Sequence, residues 1–115
     1  KNVQVLTDVL FSPLSMKTLV KMLELVIRSK PVGVFNLGSN EGMSKADFDF
    51  EFAERLGLST DSMARIDSTE ATFLHAYRPK DMRMDCSKFE KLFGVKLPTL
   101  AEEITISIGD YYEKI

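Results

Sequence analysis

The chain has 115 residues, a net charge of −2 from 15 basic and 17 acidic side chains, and one cysteine, Cys86. That length supports one small domain, and 44% hydrophobic with 28% charged residues suits a packed core and not a disordered tail. No basic face points to nucleic acid, a lone thiol closes no disulfide, no Cys/His cluster suggests a metal, and no apolar run approaches the ~20 residues that cross a bilayer.

The single thiol fits a reducing, cytoplasmic setting. The opening Lys1-Asn2-Val3 lacks an initiator methionine and a signal-peptide pattern, which fits either a chain that begins within a longer protein or a trimmed terminus.

In chain order, Val3, Val5 and Leu6 alternate as a strand, and Phe11-Ser12-Pro13 turns into a helix capped by Ser15. Met16, Leu19, Val20, Leu23, Val26 and Ile27 recur at three and four residues and predict the buried stripe of that helix, with Lys17, Lys21, Glu24 and Arg28 opposite. Pro31 stops it. Val32, Val34, Phe35 and Leu37 read as a mostly buried strand, and Gly38, Asn40 and Gly42 form the loop after it.

Ser44 and Asp47 resemble a capping box ahead of a helix whose Phe48, Phe52 and Leu56 share one face, closed by Gly57. A short strand over Met63–Ile66 precedes a long aperiodic loop, Asp67–Lys80. Asp85 caps a helix carrying Phe89, Leu92 and Phe93, and Gly94 ends it. Thr99 and Glu102 box the start of a last helix, with Leu100, Ile104, Ile108 and Tyr111 inward. The pattern predicts an α/β fold: a small mixed lobe of a few short strands and about four helices, whose sheet is small or is completed by strands outside it.

The six glycines never take the spacing that lets backbone approach a dinucleotide pyrophosphate, and the Walker pattern is absent. Asp47, Asp49 and Glu51 lie at a helix start, where the macrodipole accounts for them. Phe48 and Phe52 suit core packing, while Phe50 points elsewhere and suits an adjoining surface. His75 has no nucleophile beside it and reads as a surface or structural residue. The richest segment is His75–Asp81, with Tyr77 for stacking, Arg78 for a forked grip on phosphate and Lys80 as a point charge. On composition alone it is equally an exposed, solvated loop.

Its surroundings carry a resemblance. Ala76-Tyr77-Arg78-Pro79, then Met84-Asp85-x-Ser87-Lys88-Phe89, then Phe93-Gly94-Val95-x-Leu97-Pro98 resembles the C-terminal signature of dTDP-4-dehydrorhamnose reductases, which are extended short-chain dehydrogenase/reductases. Asp8 with Ser12-Pro13, the run Gly33–Leu37, and Ser44 with Phe48 are similar to upstream motifs of that family, in the same order. Leu14, Asn36 and Lys45 stand where the family usually has threonine, histidine and tryptophan, which favours the broader nucleotide-sugar class over rhamnose in particular.

The resemblance implies that residues 1–115 are the substrate-binding part of a nucleotide-sugar reductase in carbohydrate-precursor biosynthesis. A Rossmann lobe missing from this chain would bring NADPH or NADH and the catalytic Tyr-x-x-x-Lys pair, which no tyrosine here completes: Tyr77 is followed by Asp81 and Tyr111 by Ile115. Arg78 and Lys80 are then expected to take the diphosphate, and Phe11 and Ser12 the sugar or base edge. No catalytic, cofactor or metal residue is expected in the chain. The expected partners are the nucleotide sugar and the missing lobe, with a homo-oligomer open and neither nucleic acid nor membrane. The same resemblance leaves room for a non-catalytic regulatory module, as in a methionine adenosyltransferase subunit, and for a nucleotide-sugar epimerase or dehydratase.

Overall fold

A computed structural model describes residues 2–113 and contains four short strands in two ribbons among the described residues. Lys1 and Ile115, on which two of the readings above touch, lie outside the described residues. β1 (Val3–Leu6) lies parallel to β4 (Met63–Ile66), with Val3 opposite Met63 and Leu6 opposite Ile66. β2 (Leu10–Phe11) pairs antiparallel with β3 (Met43–Ser44). Around these two ribbons lie α1 (Met16–Ser29), α2 (Lys45–Arg55), α3 (Ser87–Phe93) and α4 (Leu100–Glu113), which together make the mixed α/β lobe that the pattern predicts.

Local chemistry fixes the helix ends where it was expected. Ser15 Oγ accepts from the Thr18 N–H at 3.2 Å, and Ser44 Oγ from the Asp47 N–H at 3.0 Å. The Thr99–Glu102 box closes in both directions, at 2.9 and 3.1 Å. The Asp47 carboxylate does not close its own box and accepts from Arg65 at 2.8 Å. Past α2, Leu58 N–H reaches the Ala53 carbonyl and Gly57 N–H that of Glu54, which satisfies two orphan carbonyls. Asp85 accepts from the Ser87 N–H at 2.9 Å at the head of α3.

Three packing expectations are corrected. The core face of α1 is centred on Met22, with Leu25 and Val26 beside it. Most of the expected stripe faces solvent instead: Met16 and Ile27 are each 72% exposed, and Val20 and Leu23 are exposed with them. Residues Val32–Leu37 are unpaired, with a bend at Gly33 (φ 117°), so they form no strand. Val32 is 96% and Val34 85% exposed, while Phe35 and Leu37 pack inward. Tyr111 is half out of the fold at 49%. In each case the side chain has the expected apolar character, and no described element lies on its outer side.

The core is accordingly divided. Met22, Cys86, Phe89 and Leu97 form one cluster and Leu6, Val9 and Ala71 another. The described chain is a slab of 47 × 38 × 20 Å, and its Cα radius of gyration of 16.2 Å exceeds the ~13 Å of a compact domain this long.

One buried charge joins the layers. Glu103 of α4, 2% exposed, accepts from the Ser15 N–H at 2.6 Å and the Thr18 hydroxyl at 2.8 Å. A carboxylate at this end of α1 meets the positive end of the helix dipole and satisfies an orphan N–H. Glu103→Ala is expected to lower stability by about 2–3 kcal/mol, the worth of a hydrogen bond to a charged group plus the group left unpaired, read from urea denaturation. Cys86 is buried beside the Gly38 carbonyl, and burial pushes its thiol above the usual range. Its alkylation is expected to be slow in the native state and to follow global unfolding, as monitored by a thiol reagent across a denaturant series.

Candidate functional site

The segment Asp67–Arg83 carries the candidate site, and its backbone is pinned at both ends. At the near end, Asp8 accepts from the Ser68 N–H at 2.9 Å and the Ser68 hydroxyl at 2.6 Å. At the far end, the Leu10 N–H donates to the Lys80 carbonyl at 2.7 Å, and the Met82 N–H to the Leu10 carbonyl at 2.8 Å. Lys80 Nζ bridges the two ends: it donates to Asp8 Oδ2 at 2.5 Å and touches Ser68 Oγ. That ammonium first, and then the Ser68 hydroxyl, hold the Asp8 carboxyl far below the usual carboxylate range, and Asp8 in turn raises Lys80. Beyond Lys80, Arg83 makes two bonds to Asp81, at 2.8 and 2.7 Å, and holds its carboxyl at about 2.

Between these anchors the chain bows outward, and Arg78 stands exposed on the bow. It enters none of the ion pairs among the described residues. It borders two clefts. One, of about 400 Å³, lies between the Ser68–Thr69 turn and the loop that carries His75, Tyr77 and Lys80. The other, of about 190 Å³, is walled by Gln4, Lys45, Asp49 and Phe73. Lys45, which heads α2, therefore faces the same cleft as Arg78 although 33 residues separate them in sequence. Asp49 on the same wall has its carboxyl raised by burial, partly opposed by Lys45. Spacing gave no sign of this pair, because the contact depends on how α2 crosses β1.

Of the four residues expected to bind substrate, the structure leaves one free. Arg78 is open and unpaired. Lys80 is committed to Asp8 and Ser68. Phe11 is half-buried, edge-on to Phe48 at 5.3 Å, with Lys45 Nζ 5.7 Å from its ring centre. Ser12 is buried at 3%: its hydroxyl accepts from the Met84 N–H at 3.0 Å and its carbonyl from the Ser39 N–H at 2.9 Å. His75 is exposed, as its surface reading expects. Phe50 turns away from Phe48 and Phe52, as expected, and lies under the Arg65 guanidinium at 4.4 Å.

The loop glycines do not suit a dinucleotide. A Cβ on Gly38 would come within 2.6 Å of the Ser12 carbonyl oxygen, and one on Gly42 within 2.5 Å of the Phe11 carbonyl oxygen. Their missing side chains make room for this chain's own backbone, so they offer no cradle for pyrophosphate. Among the described residues no group of three acidic, His or Cys side chains could hold a metal, and no helix is long and apolar enough to cross a membrane.

The ordered motifs, the mixed α/β lobe and the pinned arginine loop extend over the same span as a known family, the RmlD substrate binding domain, which matches residues 1–113. The chain belongs to that family. Its fold is similar to that of a dTDP-4-dehydrorhamnose reductase from Yersinia enterocolitica, with a TM-score of 0.78 and 17% identity. The match covers 94% of this chain and 37% of the reductase, so this RmlD-type domain spans little more than a third of that protein's length. No curated protein sequence matches the chain.

The anchors of the RmlD-type loop titrate in acid. Asp8 and Asp81 both have lowered folded values, against about 3.9 when unfolded. Their contribution to stability is therefore complete above about pH 4 and is lost as pH falls toward 2 and below. Asp8→Asn is expected to flatten the pH dependence of unfolding in that window and to leave it unchanged above pH ~5, as measured by urea midpoints across pH.

Proposed function

We propose that this domain binds the nucleotide sugar of an NADPH- or NADH-dependent reductase that resembles dTDP-4-dehydrorhamnose reductase. The observation that carries the reading is Arg78: an exposed guanidinium with no ion-pair partner among the described residues, at the meeting of two clefts, on a loop held at Asp8 and Leu10. An arginine held in this way needs little reordering to grip a diphosphate with two parallel hydrogen bonds. Lys45, on the wall of the smaller cleft, adds a second positive charge where the sugar phosphates would lie.

In this reading Lys80 acts through Asp8, as a positioning residue that fixes the root of the arginine loop. Phe11 supports Lys45 from beneath, and Ser12 sets the backbone at Met84 against the loop after Leu37. The domain's part in reduction is orientation: holding the diphosphate places the keto carbon of the sugar where hydride can reach it, and correct placement lowers the barrier by removing motional freedom in advance. The hydride donor, and the acid that protonates the new alkoxide, would come from elsewhere in the complete polypeptide. The family match and the placement of Arg78 support this assignment.

The test is nucleotide-sugar affinity in the complete polypeptide. Arg78→Ala is expected to weaken binding by about 1.5–3 kcal/mol, with Arg78→Lys intermediate because an ammonium lacks the fork. Calorimetric titration with a dTDP-sugar measures it. Unchanged affinity in Arg78→Ala would remove the residue from the site.

A further inference from the structure

The smaller of the two clefts beside Arg78 contains a charge that a phosphate site does not explain. Asp49 lies one turn along α2 from Lys45, and both side chains line this cleft of about 190 Å³. They form no ion pair. Lys45 Nζ stays over the Phe11 ring, 5.7 Å from its centre, and Asp49 enters none of the ion pairs among the described residues. The Asp49 side chain is half-buried; burial raises its carboxyl above the usual range, Lys45 opposes this, and no hydrogen bond enters the balance.

Such a carboxylate is unfavourable in two ways. Half-buried without donors, it loses hydration. Beside the place of a diphosphate, it repels the ligand. A repulsive group at a binding site sharpens selectivity when the right ligand satisfies it and the wrong one cannot.

The rest of the cleft indicates what the right ligand brings. Buried Val5 and Leu6 form an apolar floor with half-buried Leu74. Phe73, 49% exposed, lines the same cleft, and Gln4 adds a carboxamide that both donates and accepts. An apolar floor, an open aromatic ring and a few polar groups of mixed sense suit a neutral ring edged with hydrogen-bond donors. Hexose hydroxyls and the N–H groups of a nucleobase both fit that description. Ionised phosphate oxygens, which only accept, do not.

We propose that Asp49 is a specificity-determining residue: it accepts hydrogen bonds from a neutral ring of the ligand seated against Phe73, and it repels anions that bring phosphate without such a ring. This role rests on the reading that Arg78 takes a diphosphate. It adds the group that tells a nucleotide sugar from a bare polyphosphate.

Calorimetric titration of the complete polypeptide with dTDP-glucose, dTDP and inorganic pyrophosphate tests it. A hydrogen bond to a charged group is worth roughly tenfold in affinity. Asp49→Asn is therefore expected to lower the preference for dTDP-glucose over pyrophosphate by about tenfold, while pyrophosphate itself binds more tightly. Phe73→Ala, outside α2, is expected to lower the same preference and leave pyrophosphate affinity unchanged. If Asp49→Asn also lowers the preference for dTDP over pyrophosphate, the ring is that of the nucleoside; if it lowers only that for dTDP-glucose, the ring is the hexose. An unchanged preference in either variant, or dTDP-glucose bound no more tightly than pyrophosphate by the unaltered protein, overturns the proposal. Arg78→Ala is expected to weaken all three ligands alike, so a failure of the diphosphate reading shows in pyrophosphate affinity and a failure of the Asp49 reading in the ratio.

Discussion

Five consecutive residues, Asp8 to Ser12, bond to four segments that are distant in sequence. The Asp8 carboxylate takes Ser68 and Lys80, and the Val9 carbonyl takes the Lys45 N–H. Leu10 exchanges two backbone bonds with Lys80 and Met82. Phe11 pairs with Met43 in the short antiparallel ribbon, and Ser12 ties down Ser39 and Met84. Val9, the second of the five, is wholly buried. With its two core clusters separate, the lobe relies on this crossing to hold β4, the arginine loop, α2 and the Gly38–Asn40 turn in register. A polar group displaced here would be left buried without its partner, which costs more than the bond itself is worth.

The crossing also explains how an exposed loop can hold a site. Ala71–Pro79 has no regular backbone structure of its own, and most of it lies open to solvent. Its two roots meet at Asp8 through Ser68 and Lys80, which ties down both ends of the loop that carries Arg78. Of the three cations on or beside it, two are neutralised locally, Lys80 by Asp8 and Arg83 by Asp81. Those pairs leave Arg78 as the loop's open positive charge. Exposed ion pairs of this kind contribute little stability.

How much of this the sequence disclosed depends on the range of each interaction. The caps at Ser15, Ser44 and Thr99–Glu102 involve groups three residues apart, and they were legible because local chemistry suffices to place them. The β1–β4 pairing was half legible, each strand as a run and their partnership not at all. Arg78 was legible as a candidate by residue type and context. Lys80 and Ser12 were legible as polar residues in the right segments, but their partners, Asp8 and Met84, lie 72 residues away. Glu103 was hidden for the same reason: inside a helix an acidic residue reads as surface, and only the arrival of the α1 N-terminus makes it a buried cap.

The miss on α1 has another cause. Hydrophobic periodicity records which side chains must leave water, and it is silent about what covers them. On α1 it read Met16, Val20, Leu23 and Ile27 as side chains that leave water, and assigned them to the only core a single small domain could have. The structure gives that core to Met22, Leu25 and Val26. The run at Val32–Leu37 repeats the lesson: Val32 and Val34 read as buried by residue type, and in this lobe they stand exposed while Phe35 and Leu37 pack inward. Exposure on α1 and at Val32–Val34 thus marks where residue type and spacing alone were too coarse to place the core.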